Sequence, residues 1–97
     1  MADILLVEDN DSLRPVLRLT LENAGYSVSE AIDARSAIDQ ISTVRHRLIL
    51  TDLRTRNWSG LDVLRSAKSA APDVPVIVMT AESVIKHSSN KMKEYAL

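Results

Sequence analysis

Residues 4–9 read ILLVED, a short apolar run that ends on two acids. Two later stretches have the same pattern, since residues 48–52 read LILTD and residues 76–80 read VIVMT. A short, continuous apolar run is typical of a strand that is buried on both faces inside a parallel sheet. Because parallel strands place their carboxyl ends at one edge of a sheet, we expect the side chains that end these runs to lie together.

The side chains at the ends of the three runs all carry oxygen atoms. They are Glu8, Asp9, Asp52 and Thr80. Clustered carboxylates repel one another, and a bound cation relieves that repulsion. Ligand sets made only of oxygen favour a hard cation such as Mg²⁺. The sequence therefore predicts a divalent metal site at the carboxyl edge of the sheet.

The segments between the strands have the period of amphipathic helices. We expect the first helix to begin at about Ser12, with Asp11 or Ser12 as its N-cap, and the second helix to be capped by Asp33. Residues 26–31 alternate apolar and polar side chains, which is typical of a half-exposed edge strand. The predicted inward stripe of the first helix comprises Leu13, Leu17, Leu21 and Ala24. Four βα units imply a parallel sheet with right-handed crossovers and helices on both faces.

The composition fits one small domain, and we expect residues 1–97 to form a single unit. Its hydrophobic content of 45% and charged content of 26% are ordinary for a globular protein. A net charge of −1 gives no electrostatic reason to expect nucleic acid or an anionic membrane as a direct partner. The longest apolar stretch is too short to span a membrane. The absence of cysteine excludes disulfides and thiolate chemistry, and we expect a cytoplasmic location.

The strand predicted at residues 74–80 is the most apolar of all, and it lacks a predicted neighbour on one side. Such a strand belongs inside a sheet, yet a further βα unit would need about 20–25 residues, and the chain stops short of it. We therefore expect the exposed edge at Val74–Met79 to find a substitute neighbour. A partner strand or domain swapping in a homo-oligomer would supply one.

From Met1 to about Ala96, the chain resembles the receiver domain of two-component response regulators. The likeness is carried by the strand ends ILLVED, LTD and VIVMTA, together with Gly60 eight positions after Asp52. The resemblance implies an α/β fold of the flavodoxin-like type, with a doubly wound parallel sheet in the order 2-1-3-4 and the fifth βα unit missing. It also implies a signalling role in a phosphorelay, with a histidine kinase or a phosphotransfer protein as partner. Such a domain has no turnover beyond its own phosphorylation and dephosphorylation.

The resemblance implies a role for each acid at the strand ends. Asp52 is the expected phosphoacceptor. Asp9 and Asp52 are expected to contact Mg²⁺ directly, whereas Glu8 acts largely through water. The backbone carbonyl of Arg54 is expected to complete the protein ligands.

After transfer, the hydroxyl of Thr80 and the backbone amide of Ala81 are expected to hold the phosphoryl group. The chain also departs from the family. Thr55 and Arg56 stand where the family usually has Met-Pro, and the family's Lys after the fifth strand would lie past Leu97. We therefore expect phosphorylation of this chain to be impaired.

Some of these residues have a plainer interpretation. Thr80 also suits the N-cap of the following helix. Trp58 is more typical of a loop side chain that covers a core or a partner than of a ligand platform. His46 and His87 lack a second ligand at metal spacing, which argues against zinc. His46 stands between two arginines and is expected at the surface.

Two other functional hypotheses remain. In the first, the acidic site is vestigial, and the chain is an interaction or dimerisation module held together by strand exchange along its apolar edge. In the second, the chain is a flavin-binding protein of similar topology. The loop after the first strand argues against flavin, because it has no phosphate-cradling glycine or Ser/Thr cluster.

Overall fold

The computed structural model describes residues 2–53 and 59–79, and within these ranges strands and helices alternate. In chain order the elements are β1 (Ala2–Val7), α1 (Leu13–Asn23), β2 (Val28–Ala31), α2 (Ala34–Thr43), β3 (His46–Asp52), α3 (Gly60–Ala70) and β4 (Val76–Met79). The last predicted helix lies outside the described residues. Among the described helices, none is long and apolar enough to cross a membrane.

The four strands form one parallel sheet in the order β2-β1-β3-β4. This order confirms the flavodoxin-like, doubly wound fold that the resemblance implies. In the register, Val7 lies opposite Thr51, and Asp52 lies opposite Met79. The carboxyl ends of β1, β3 and β4 are therefore level with one another at one edge of the sheet.

The side chains of each strand alternate between two apolar clusters, one on each face of the sheet. One cluster packs under α2 and α3 and includes Leu5, Val7, Ile49, Val63, Ala67, Val76 and Val78. The other packs under α1 and includes Ile4, Leu6, Val28 and Leu50. The predicted coverage of both faces by helices is confirmed.

Helix α1 is less buried than its apolar stripe predicts. Leu17 and Leu21 pack against the cluster beneath the helix, but Leu13 is 43% exposed and no residue of α1 is fully buried. Within the described residues, α1 is the only helix that packs on this face of the sheet. Side chains on the flanks of its stripe therefore have no second helix to contact there.

His46 is buried, and its predicted surface position is wrong. Strand β3 begins at His46, which pairs with Ala2 of β1, so this residue belongs to the sheet and not to the preceding loop. Its side chain is 4% exposed, and its Nε2 lies 2.9 Å from the Ser29 hydroxyl oxygen. Burial lowers the pKa of His46, so the folded chain favours the neutral ring.

Candidate metal centre

Three acids meet at the carboxyl edge of the sheet. Glu8 and Asp9 follow the last residue of β1, and Asp52 is the last residue of β3. Each of the three offers a carboxylate oxygen, and these oxygens all lie within 4.8 Å of one another. The strand-end pattern thus places the acids together as expected. The other predicted site residues, Arg54, Thr80 and Ala81, lie outside the described residues.

The three carboxylates differ in how far they reach toward solvent. Glu8 is only 2% exposed, whereas Asp9 and Asp52 are half-buried. The cluster is therefore closed on the side of Glu8 and open on the side of the two aspartates. Ligands from solvent would approach from the open side.

The donor set fits Mg²⁺. This ion binds oxygen at about 2.0–2.1 Å, so two oxygens on one ion lie at most about 4.2 Å apart. Oxygens within 4.8 Å of one another need only small side-chain rotations to reach that separation. Mg²⁺ also keeps several waters and takes few protein carboxylates, which suits a site that is open on one side.

Glu8 shows the electrostatic cost of gathering these acids. Burial raises the pKa of Glu8, and the neighbouring charges of Asp52 and Asp9 raise it further. The backbone amide of Asn10 donates a hydrogen bond of 3.1 Å to Glu8 Oε2 and acts in the opposite direction. The folded chain therefore binds a proton at Glu8 more readily than the unfolded chain does, and a bound cation would relieve the crowding in another way.

Asn10 shapes the loop between β1 and α1. Its side-chain oxygen accepts hydrogen bonds from the backbone amides of Ser12 and Leu13, each at 2.9 Å. Ser12 does occupy the N-cap position of α1, but its side chain caps no amide. The prediction that the N-cap is Asp11 or Ser12 is therefore confirmed for Ser12, but the side-chain hydrogen bonds to the first amides come from Asn10. Asn10 lies two residues before the N-cap Ser12, and an asparagine there is a known Asx-turn signal that could have been recognised in the sequence.

Gly60 allows α3 to approach the backbone beneath the site. A Cβ at this position would lie 2.5 Å from the carbonyl oxygen of Asp52 and 3.0 Å from the Cα of Leu53. The Gly60 amide also donates a 2.7 Å hydrogen bond to the carbonyl of Leu53. The side chain of Ser59 caps this helix start, and Asp62 completes a capping box. Only glycine fits so close to the backbone that carries Asp52.

A cavity among the described residues lies at the opposite end of the strands, away from the acids. It has a volume of about 350 Å³, and its lining includes Ile41, His46, Ala71 and Val74. These residues belong to the amino end of β3 and to the segments that end α2 and precede β4. The acidic cluster is thus separate from this cavity.

Comparison with known proteins agrees with this geometry. The family model described as "Response regulator receiver domain" matches residues 4–96. The transcriptional regulatory protein ZraR of Escherichia coli K12 is 34% identical over 95 residues, which is 98% of this chain and 22% of ZraR. This chain therefore spans about a fifth of the length of that curated relative.

Solved structures resemble the fold closely. The response regulator TrrA from Thermotoga maritima, crystallised in complex with Mg²⁺-BeF, superposes with a TM-score of 0.85 at 26% identity, over 99% of this chain and 82% of that one. A response regulator from Burkholderia pseudomallei, crystallised with a phosphorylated aspartic acid, calcium ion and citrate, gives a TM-score of 0.78 at 26% identity. That match covers 86% of this chain and 49% of the other.

We expect Asp52→Asn to stabilise the chain when no divalent cation is present. The change keeps the shape of the side chain and removes one of three clustered charges, so the free energy of unfolding should rise by about 1 kcal/mol. The pKa of Glu8 should fall, because repulsion from Asp52 is one cause of its elevation. Urea unfolding with a chelator, together with a carboxyl NMR titration of Glu8, measures both effects.

The pH dependence of stability supplies a second readout in the same experiment. The folded chain binds the Glu8 proton more tightly than the unfolded chain, so the free energy of unfolding should fall as the pH rises from the ordinary value of 4.5 through the raised pKa. Asp52→Asn should weaken this fall. The exposed Asp39→Asn is the control and should leave it unchanged. An Asp52→Asn variant that is less stable than the parent chain would contradict the predicted repulsion.

Proposed function

We propose that this chain, which belongs to the family of response regulator receiver domains, accepts a phosphoryl group on Asp52 with Mg²⁺ bound beside it. The observation that carries the proposal is the convergence of carboxylate oxygens from Glu8, Asp9 and Asp52 within 4.8 Å. Receiver domains interact with histidine kinases or phosphotransfer proteins. We propose a phosphohistidine on such a partner as the donor.

The burial of the three acids supports a division of their roles. Asp9 and Asp52 are half-buried on the open side of the cluster, which suits direct contact with the ion. Glu8 is buried behind them and accepts a hydrogen bond from the Asn10 amide, which suits contact through water. The backbone carbonyl of Arg54 is the remaining proposed ligand.

The proposed reaction is a direct transfer. One carboxylate oxygen of Asp52 forms a bond to phosphorus as the bond between phosphorus and the donor imidazole nitrogen breaks, and the imidazole keeps that electron pair. The bound ion would supply neutralisation of the charge on the carboxylates and the phosphoryl oxygens. We propose that the Thr80 hydroxyl and the Ala81 amide then donate hydrogen bonds to the transferred group.

The two structural relatives support this assignment. The TrrA structure contains Mg²⁺-BeF, and the Burkholderia response regulator contains a phosphorylated aspartic acid and a calcium ion. Both share this fold at 26% identity. By analogy, we assign the metal and the phosphoacceptor of this chain to its own cluster of acids. The chain would then act as a cytoplasmic signalling unit over residues 1–97, without turnover beyond its own phosphorylation and dephosphorylation.

The strand-exchange hypothesis is not favoured by the comparisons, which match receiver domains over almost the whole chain. In the described residues, β4 does lie at the edge of the sheet. Homo-oligomerisation through Val74–Met79 therefore stays a prediction, and sedimentation at several protein concentrations tests it. A charged residue at Val76 or Val78 would not test oligomerisation separately from folding, because both side chains are buried in the core.

We expect Mg²⁺ to bind and to permit labelling of Asp52 by a small phosphoryl donor such as acetyl phosphate, with the reduced extent that the impaired phosphorylation predicted above implies. Mg²⁺ affinity should rise with pH, because a proton on Glu8, whose pKa is raised, competes with the cation. Asp52→Asn should weaken Mg²⁺ binding and abolish the labelling. Calorimetry and intact-protein mass spectrometry measure the two effects. Labelling that persists in Asp52→Asn would place the phosphoacceptor elsewhere.

We expect Gly60→Ala to disturb the site through the backbone. The added methyl group would push against the Asp52 carbonyl, so the variant should lose about 1–3 kcal/mol of stability and bind Mg²⁺ more weakly. Gly25→Ala is the matched control, because Gly25 has a φ of +99° and lies far along the chain from the acids. This control should also lose stability but keep its Mg²⁺ affinity. Equal loss of affinity in both variants would contradict a local role for Gly60.

A further inference from the structure

We propose that Arg14 is a positioning residue for the acidic site. Its side chain holds the Glu8–Asp9 peptide in the orientation that Mg²⁺ binding requires. The proposal rests on the function proposed above and adds to it a residue outside the three acids. Arg14 lies in the first turn of α1, and its side chain is only 15% exposed. A guanidinium so well covered must have its donors matched by acceptors.

All three nitrogens of the Arg14 guanidinium have acceptors, and each acceptor comes from a different part of the fold. Nη1 donates to the backbone carbonyl of Glu8 at 2.9 Å. Nη2 donates to the carboxylate of Asp11 at 2.7 Å, and Nε lies 3.1 Å from the carboxylate of Glu30. One side chain thus joins the end of β1, the following loop and strand β2.

The contact with Glu8 bears directly on the metal centre. The Glu8 carbonyl and the Asp9 amide belong to one planar peptide group. A hydrogen bond that fixes the carbonyl therefore also fixes the orientation of the Asp9 amide. The Glu8 amide is held from the other side, because it donates a 3.0 Å hydrogen bond to the carbonyl of Ala31 in β2. Arg14 supplies the second restraint on this short segment, which carries two of the three acids.

Strand β2 anchors Arg14 at a distance from the acids. Glu30 pairs in register with Leu6 of β1, two residues before Glu8. The carboxylate of Glu30 also binds Arg18, one helical turn after Arg14. Glu30 is therefore held by two arginines, and it fixes the direction in which Arg14 reaches the Glu8 carbonyl.

Arg18 provides the matched control for this inference. It shares Glu30 with Arg14, lies on the same helix, and pairs with Glu22 on its other side. Its described partners do not include the peptide groups of Glu8 or Asp9. Loss of Arg18 should therefore loosen the packing of α1 on β2 without releasing the acidic segment.

The experiment compares Arg14→Met, Arg14→Lys and Arg18→Met in the full chain. Mg²⁺ affinity is measured by calorimetry, and the free energy of unfolding by urea. Arg14→Met should weaken Mg²⁺ binding about tenfold, the usual effect of removing a group that orients a metal ligand. The Mg²⁺ affinity of Arg14→Lys should be close to that of Arg14→Met, because an ammonium group cannot bind three acceptors in the geometry of a guanidinium. Arg18→Met should lose stability but keep the Mg²⁺ affinity of the parent chain.

The other outcomes separate the two proposals. If the parent chain binds no Mg²⁺, the proposed function is overturned. If the parent chain binds Mg²⁺ and Arg14→Met binds it equally well, the positioning role is overturned. The role is also overturned if Arg18→Met loses as much affinity as Arg14→Met, or if Arg14→Lys restores binding. If Arg14→Met does not fold, the Mg²⁺ affinities of Arg14→Lys and Arg18→Met are compared instead. The positioning role then requires that Arg14→Lys binds more weakly than Arg18→Met.

Discussion

The parallel pairing of β1 with β3 is the constraint on which the rest of the structure depends. Its register sets Val7 opposite Thr51, so the acids at the carboxyl ends of the two strands lie side by side at one edge of the sheet. An antiparallel arrangement would place Glu8 and Asp52 at opposite edges. The sheet therefore brings like charges together without a bound ion. Hydrophobic burial on both faces of the sheet supplies the free energy that holds them there.

The site is shaped mainly by contacts that reach the backbone. Gly60 lets α3 start against the carbonyl of Asp52, and Asn10 ties the first amides of α1 to the loop after β1. The Arg14 side chain donates a hydrogen bond to the Glu8 carbonyl, and the Ala31 carbonyl accepts one from the Glu8 amide. Repelling carboxylates would otherwise move apart by rotating their backbone segments. Restraint of the backbone keeps the acids close enough to share an ion.

The parallel sheet and the three acids could be predicted from local patterns in the sequence, whereas the strand order was implied by the resemblance to receiver domains. Apolar runs such as residues 4–7 identify buried parallel strands, and the acids that follow them must share an edge. Features that depend on tertiary contact could not be predicted in this way. The burial of His46 follows from its pairing with β1, and the exposure of Leu13 depends on which helices cover its face. The link from Arg14 to Glu30 joins residues from different elements, and no periodicity indicates it.

Substitution of Mn²⁺ for Mg²⁺ in an NMR titration tests most directly whether the sheet gathers its acids around one ion. Mn²⁺ broadens the amide signals of residues within reach of its unpaired electrons. The account predicts that the signals of Glu8, Asp9 and Asp52 broaden first, at the lowest Mn²⁺ concentration. The signals of His46 and Val74, at the other edge of the sheet, should stay sharp. Uniform broadening along the chain, or broadening that begins at the exposed Asp39 or Asp73, would contradict it.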